Sequence, residues 1–151
     1  MSISSPIVNG ELIGRRIFHE KLAAVSSMSD VPANVFLDTR YEEDLSVDRL
    51  GTGNVTKAIV KELTRLADEA ATLQKTNFLG WIANHRKNIK QTEVRPDPLT
   101  IAIDGIENPY HGLIDRSGVR EKVAAHHFSR SLLFMFQEGQ IVHPIRSNAT
   151  N

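Results

Sequence analysis

Two histidines and two arginines carry the residue types that phosphoester chemistry needs. His19 and His111 lie in or beside segments that predict strands, and Arg16 and Arg49 lie in predicted strands as well. Histidine gives and takes a proton near neutral pH, and arginine neutralises a phosphate. One hypothesis is therefore a small phosphoester- or nucleotide-handling enzyme, with a His19/His111 acid–base pair and Arg16 or Arg49 on the phosphate. The alternative is that both histidines are ordinary strand residues, because spacing does not show that they meet.

The segment ENPYHGLID, residues 107–115, decides how His111 is presented. Its Asn-Pro step favours a turn, and the rest predicts a strand. Side chains alternate between the two faces of a strand. If Ile114 points into the core, Tyr110 does too and His111 faces outward. If Leu113 is the core residue, His111 is buried with it.

Other catalytic and metal-binding patterns are weaker. The glycine-containing loop at 51–53 precedes a predicted helix, as phosphate loops do, but it matches neither the Walker A motif nor the dinucleotide-binding motif. His126 and His127 are adjacent, so on a helix they point about 100° apart and cannot share one metal ion. The chain has no cysteine and no HExxH or Gly-x-Ser-x-Gly pattern. We predict no metal site, no cofactor and no nucleophilic serine or thiol.

Charge and hydropathy patterning limit the partners. The chain has 18 basic and 18 acidic residues, so its formal net charge is zero. A nucleic-acid-binding protein usually has a basic excess, so the neutral net charge argues against nucleic acid as a partner. No apolar run approaches the ~20 residues of a membrane span, and the N-terminal segment lacks the pattern of a signal peptide. We expect no membrane partner and a cytoplasmic location.

An acidic, tyrosine-bearing segment at 36–48 suggests a different function class. Separated acidic and basic clusters steer protein partners, although a solvated loop explains any single charged run. The first functional hypothesis is thus a small soluble protein of bacterial type that binds another protein, as an inhibitor, an immunity protein or an accessory subunit. A homo-oligomer is also compatible. The predicted contact residues are Asp38, Tyr41, Glu42, Glu43, Asp44 and Tyr110.

Short apolar runs and proline positions predict the strands. The region 77–92 fits either a helix or a strand, and we favour a strand at 79–85 followed by a turn. A second extended piece then ends at Arg95-Pro96. The remaining predicted strands are 14–19, 34–38, 44–50, 99–103, 110–115 and, on a sheet edge because of its proline, 140–145.

Two amphipathic helices complete the prediction, at about 54–75 and 118–136, each with one apolar stripe. Asn54 or Thr52 is the expected cap of the first helix and Ser117 of the second, and Gly139 is the expected left-handed residue after the second. The chain is predicted to form a single α+β domain over 1–151, with flexible tails at 1–12 and 146–151. The expected arrangement has two layers: a mostly antiparallel sheet of about five or six short strands, with both helices on it.

Overall fold

A computed structural model describes residues 5–19, 31, 33–36, 44–90, 92–97, 107–116 and 121–146. These form one antiparallel sheet of six strands and two α-helices, which confirms the predicted α+β class. The strands are β1 (Leu12–His19), β2 (Leu45–Gly51), β3 (Asn77–His85), β4 (Val94–Pro96), β5 (His111–Ile114) and β6 (Gln140–Val142). The helices are α1 (Thr56–Leu73) and α2 (Lys122–Gln137).

The strand order is β4-β5-β2-β1-β3-β6, so the longest strands are central and the shortest lie at the edges. β1 pairs with β2 on one side and with β3 on the other. The strand interpretation of 77–92 is therefore confirmed, as are the following turn and the short extended piece of β4. β6 lies at an edge as predicted, and it ends two residues before Pro144.

The two helices pack on opposite faces of the sheet. On β3, Trp81 belongs to the apolar cluster under α1, together with Leu63 of that helix. The next residue, Ile82, belongs to the cluster that contains Leu132 and Phe136 of α2. The sequence placed both helices on the sheet in two layers, whereas the sheet has a helix on each side. An apolar stripe shows that a helix packs by one face, but it does not show which face of a sheet it covers.

The start of α1 differs from the prediction. Neither Asn54 nor Thr52 caps the helix through its side chain; Val55 occupies the cap position, and no side chain caps there. A short 3-10 turn over Gly53–Val55 leads into the helix instead. The backbone N–H of Val55 donates to the carbonyl of Thr52 at 3.3 Å, so the turn itself supplies one of the missing hydrogen bonds.

The strand predicted at 34–38 was wrong over its described part. Ala33–Phe36 forms a 3-10 turn that contacts α2, and residues 37–38 lie outside the described residues. Phe36 is fully buried, and its ring centroid lies 4.9 Å from that of Phe136. This apolar run is therefore a turn that packs a buried side chain against α2, and it is not a strand of the sheet.

Some predicted features fall partly or wholly outside the described residues. α2 begins at Lys122 and not at 118, while the cap predicted at Ser117 and the strand predicted at 99–103 are not among the described residues. At the N-terminus, Glu11 lies inside the predicted tail 1–12, yet it is buried. The burial of Glu11 shows that the end of this segment is held in the fold, although composition alone assigned it to a flexible tail.

Gly139 has a different role from the one predicted. Its φ is not positive, so it is not a left-handed cap. Its backbone instead passes so close to β3 that an added Cβ atom would lie 1.9 Å from the carbonyl oxygen of Ala83. The N–H of Gly139 donates to the carbonyl of Phe136, which turns the chain from α2 directly into β6. Only a residue without a side chain fits at this crossing.

We predict that Gly139→Ala lowers the free energy of unfolding by about 2 kcal/mol or more, because backbone atoms must move to admit the methyl group. Urea denaturation followed by circular dichroism measures the change. Gly10→Ala is the matched control, since nothing lies within 4 Å of a Cβ atom there. Equal stability of the two variants would contradict the close packing of the turn on β3.

Candidate functional site

Neighbouring strands bring polar residues side by side on the α1 face of the sheet. Asp48 in β2 lies opposite Gly14 in β1 and opposite His111 in β5. The row continues to Asp97, whose backbone N–H donates to the carbonyl of His111 at 2.8 Å. Arg16 lies two residues along β1 from Gly14 and therefore on the same face. Pairing across the sheet thus gathers residues that are distant in sequence.

Asp48 is the centre of a buried hydrogen-bond network. Its Oδ2 accepts hydrogen bonds from Nε of Arg16 and from Nε1 of Trp81, each at 2.7 Å. Its Oδ1 accepts from Nδ2 of Asn108 at 2.7 Å and from Nη2 of Arg16 at 3.1 Å. Both oxygens are therefore satisfied although the residue is buried. The network joins β1, β2, β3 and the turn before β5.

The environment of Asp48 keeps it ionised. Burial by itself raises the pKa of this carboxyl group, because a charged form loses water. The charge of Arg16 and the hydrogen bonds from Arg16, Trp81 and Asn108 outweigh that effect, so the pKa of Asp48 lies below its ordinary value. A charged carboxylate accepts four hydrogen bonds here, as only the deprotonated form can.

Asn108 has a role that the sequence interpretation missed. Besides donating to Asp48, it accepts a hydrogen bond from the N–H of Tyr110 on its Oδ1 at 2.9 Å. Its carbonyl accepts from the N–H of His111 at 3.2 Å. The Asn-Pro step therefore forms a turn and also ties the start of β5 to the buried carboxylate. The available signal was Asp48 itself, an acidic residue inside a predicted strand that also contains Leu45, Val47 and Leu50.

His111 occupies the α1 face but is only slightly open to solvent. Ile114 is buried in the cluster on the α2 face, so His111 points the other way, as one of the two predicted alternatives required. Tyr110 does not follow Ile114, because it precedes the strand and packs against the α1 cluster. The His111 side chain is 12% exposed, and its Nδ1 lies 3.3 Å from Oδ2 of Asp97. That distance allows an ion pair with a protonated ring, although the atoms are not aligned for a hydrogen bond.

His19 and His111 do not form the predicted pair. The backbone of His19 lies opposite Asn77 at the far end of β1, five residues beyond Gly14. His111 lies in the row of Gly14 but two strands away. Strand rise and strand spacing then put the two backbones about 19 Å apart, which is too far for two side chains to share one substrate atom.

The two predicted phosphate-binding arginines have different environments. Arg49 lies on the opposite face from Asp48, where its Nε and Nη2 donate to both oxygens of Glu11 at 2.6 and 3.0 Å. Both side chains are fully buried, so Arg49 cannot reach a phosphate in solvent. Arg16 is 21% exposed and lies beside Asp48. Arg16 is therefore the arginine that remains at the site.

The residues predicted to contact a protein partner are only partly described. Asp44 accepts hydrogen bonds from the side chain of Arg95 and from the N–H of Arg116. Burial raises the pKa of Asp44, but these hydrogen bonds and the charges of Arg95 and Arg116 outweigh that effect, so the pKa is lowered. Tyr110 is half-buried. Asp38, Tyr41, Glu42 and Glu43 lie outside the described residues.

Three further features of the described residues bear on the weaker patterns in the sequence. Gly51 and Gly53 both have positive φ and form the turn between β2 and α1, which accounts for these two glycines without a ligand. Within the ranges that the structure describes, no three histidine or acidic side chains converge to hold a metal ion. In the same ranges, no helix has the length and apolar character needed to span a membrane.

Three comparisons with known proteins leave the site to be judged on its own geometry. Protein-family models, curated proteins and solved structures all give no significant match to this chain.

We predict that Asp48→Asn lowers the free energy of unfolding at pH 7 by about 3 kcal/mol. Arg16 loses its counter-charge, and the two donors that pointed at the replaced oxygen then face an NH2 group, which cannot accept their hydrogen bonds. Since the pKa of Asp48 is lowered by folding, its stabilisation is complete above the unfolded value of about 4 and is lost as the pH falls further. Urea unfolding from pH 2 to 7 measures this, and the gap to wild type should narrow below about pH 4. A gap that stays constant over that range would contradict the assignment.

We expect Arg49→Met to destabilise the fold by about 3–5 kcal/mol, because it leaves the Glu11 carboxylate buried without its partner. The double variant Glu11→Met/Arg49→Met should regain part of that loss, since both charges are then removed. Thermal and urea unfolding of both single variants, the double variant and wild type complete the comparison. If the losses of the two single variants simply added up in the double variant, or fell short of its loss, Glu11 and Arg49 would not be coupled as an ion pair.

Proposed function

We propose that the α1 face beside Asp48 binds a phosphoester and that His111 acts on it by acid–base chemistry. One observation supports this: Arg16 and His111 flank the same buried, ionised carboxylate on one face of the sheet. The proposal keeps the phosphoester hypothesis with His111 and Arg16, and it leaves out His19 and Arg49 because of their positions. We place this activity in the cytoplasm, a location that the absence of cysteine fits without distinguishing it from others.

Arg16 supplies a directed donor. Two of its nitrogens are fixed on Asp48, which sets the plane of the guanidinium group. Its third nitrogen, Nη1, makes no hydrogen bond to any residue that the structure describes, and in the proposed complex it donates to a phosphate oxygen. A guanidinium that is already oriented loses less entropy when it binds than a free one.

The charge balance of the site selects among phosphoesters. The site holds one guanidinium group, that of Arg16, and two carboxylates, those of Asp48 beside Arg16 and Asp97 beside His111. These charges sum to −1 with neutral His111 and to zero with the ring protonated. Attraction of a dianion is weak in such a site. A phosphodiester carries one negative charge and therefore fits better than a phosphomonoester.

His111 is the group that would move the proton. Its Nδ1 lies 3.3 Å from Oδ2 of Asp97, a position from which a carboxylate can orient the ring in an acid–base site. In the proposed reaction His111 takes the proton of an attacking hydroxyl or water as its oxygen bonds to phosphorus. The ester oxygen then leaves and receives a proton from the protonated ring. One histidine thus serves both steps in turn.

The test is hydrolysis of bis(p-nitrophenyl) phosphate, a generic phosphodiester. We expect His111→Gln to lower kcat/KM at least about 100-fold, because general acid–base catalysis contributes that much or more. Arg16→Lys should raise KM more than it lowers kcat, since it removes the fixed donor and keeps the charge. Release of p-nitrophenolate is followed by absorbance.

His126→Gln is the matched control, because His126 is an exposed histidine on α2, on the other side of the sheet. It should leave the rate unchanged. Binding is checked separately with dimethyl phosphate, a singly charged phosphodiester, by the fluorescence of Trp81, the only tryptophan, whose indole N–H donates to Asp48. Wild-type hydrolysis no faster than that of His111→Gln would overturn the proposed activity.

Binding of another protein, as an inhibitor, an immunity protein or an accessory subunit, is a second candidate function. The acidic segment first predicted for it is largely outside the described residues, and its described member Asp44 is occupied within the chain. A different observation favours this function: Phe134 and Val123 of α2 are large apolar side chains exposed to solvent.

A further inference from the structure

α2 has one buried side and one open side. Its buried residues recur at helical spacing and pack toward the sheet; they are Ala125, Ser129, Leu132 and Phe136. The opposite side of the helix is exposed along its whole length. Within this exposed side, which also includes Ser131 and Gln137, we define the outer α2 face by five residues: Val123, His126, His127, Arg130 and Phe134.

On the outer α2 face, an apolar side chain lies at each end and basic groups lie between them. Val123 is 65% exposed at one end and Phe134 is 73% exposed at the other, about 16 Å apart at the helical rise. Single exposed apolar residues are common, but here two large ones share a face with basic groups between them. Between residues 123 and 134 the chain has no acidic residue, while Arg130 and two histidines lie on this face.

A second copy of the chain is a poor occupant of this face. A two-fold axis would pair the face with itself, antiparallel, and would set Val123 against Phe134 of the other copy. The same axis would place Arg130 near its own copy at the centre of the contact. Like charges at the centre of an interface oppose binding.

We propose that the outer α2 face binds a different protein through an acidic amphipathic helix. Carboxylates of that helix would face Arg130, and apolar side chains on either side of them would cover Val123 and Phe134. Helices commonly bind in this way through residues spaced by three, four and seven positions. The proposal gives the second candidate function a surface and a partner chemistry, and it rests on that candidate.

The outer α2 face is independent of the phosphoester site. α2 covers one face of the sheet, and Asp48, His111 and Arg16 lie on the other. Substitutions on the outer α2 face should therefore leave phosphodiester hydrolysis and Trp81 fluorescence unchanged. Failure of one proposal can be recognised without affecting the other.

The test uses the full chain and a synthetic helical peptide of about 16 residues, the length that matches the face. Its centre carries glutamates and its flanks carry leucines, and a matched peptide has lysine in place of each glutamate. We expect the acidic peptide to bind in fluorescence anisotropy and the lysine peptide to bind at least about tenfold more weakly. Phe134→Ser and Arg130→Glu should each weaken the acidic peptide about tenfold.

Leu73→Ser and Lys57→Glu are the matched controls on α1, where both residues are exposed. They make the same kinds of change away from the outer α2 face and should leave peptide binding unchanged. The proposal is overturned if the acidic peptide does not bind, if both peptides bind equally, or if the controls weaken binding as much. Sedimentation velocity adds a further check: a dimer that Phe134→Ser dissociates would identify a second copy as the occupant and also overturn it.

Discussion

The buried carboxylate of Asp48 is the interaction on which the rest of the α1 face depends. A charge without water is tolerated only when it is paired and hydrogen-bonded, and Asp48 meets both conditions through Arg16, Trp81 and Asn108. Each donor comes from a different segment of the chain. The charge therefore specifies how three strands and a turn meet, in a way that apolar contacts alone do not, because apolar contacts have no direction.

The other face of the sheet also holds buried charges, and there two oppositely charged side chains pair with each other. Glu11 and Arg49 form an ion pair in which both side chains are inaccessible, so this pair has no group to offer to a ligand. On the α1 face, by contrast, the paired arginine and the neighbouring histidine keep a small exposed fraction. This difference in exposure, and not the presence of charge, separates a structural ion pair from a candidate site.

The local sequence pattern predicted most of the helices and strands, but it did not predict which of their residues come into contact. The region of β3 looked helical because Phe78 and Trp81 lie three residues apart on one face; a register shift near Gly80, whose φ is 128°, produces that spacing within a strand. The apolar spacing alone therefore did not distinguish a strand from a helix at 77–92; the turn and the proline that follow the run favoured the strand. The site could not be predicted in this way, because positions 48, 81 and 108 are joined by strand pairing and not by spacing. His111 was found from its residue type alone, and its true neighbour Asp97 was not.

The two outer strands set the limit of the sheet. β4 and β6 have three residues each, Pro96 ends the first and Pro144 follows the second closely. Exposed strand edges are templates on which another chain can add strands and begin to aggregate. Proline lacks the N–H that such growth needs, and a three-residue edge offers few bonds. Among the described strands, the sheet is therefore covered on both faces and gives neighbouring molecules little edge on which to extend it.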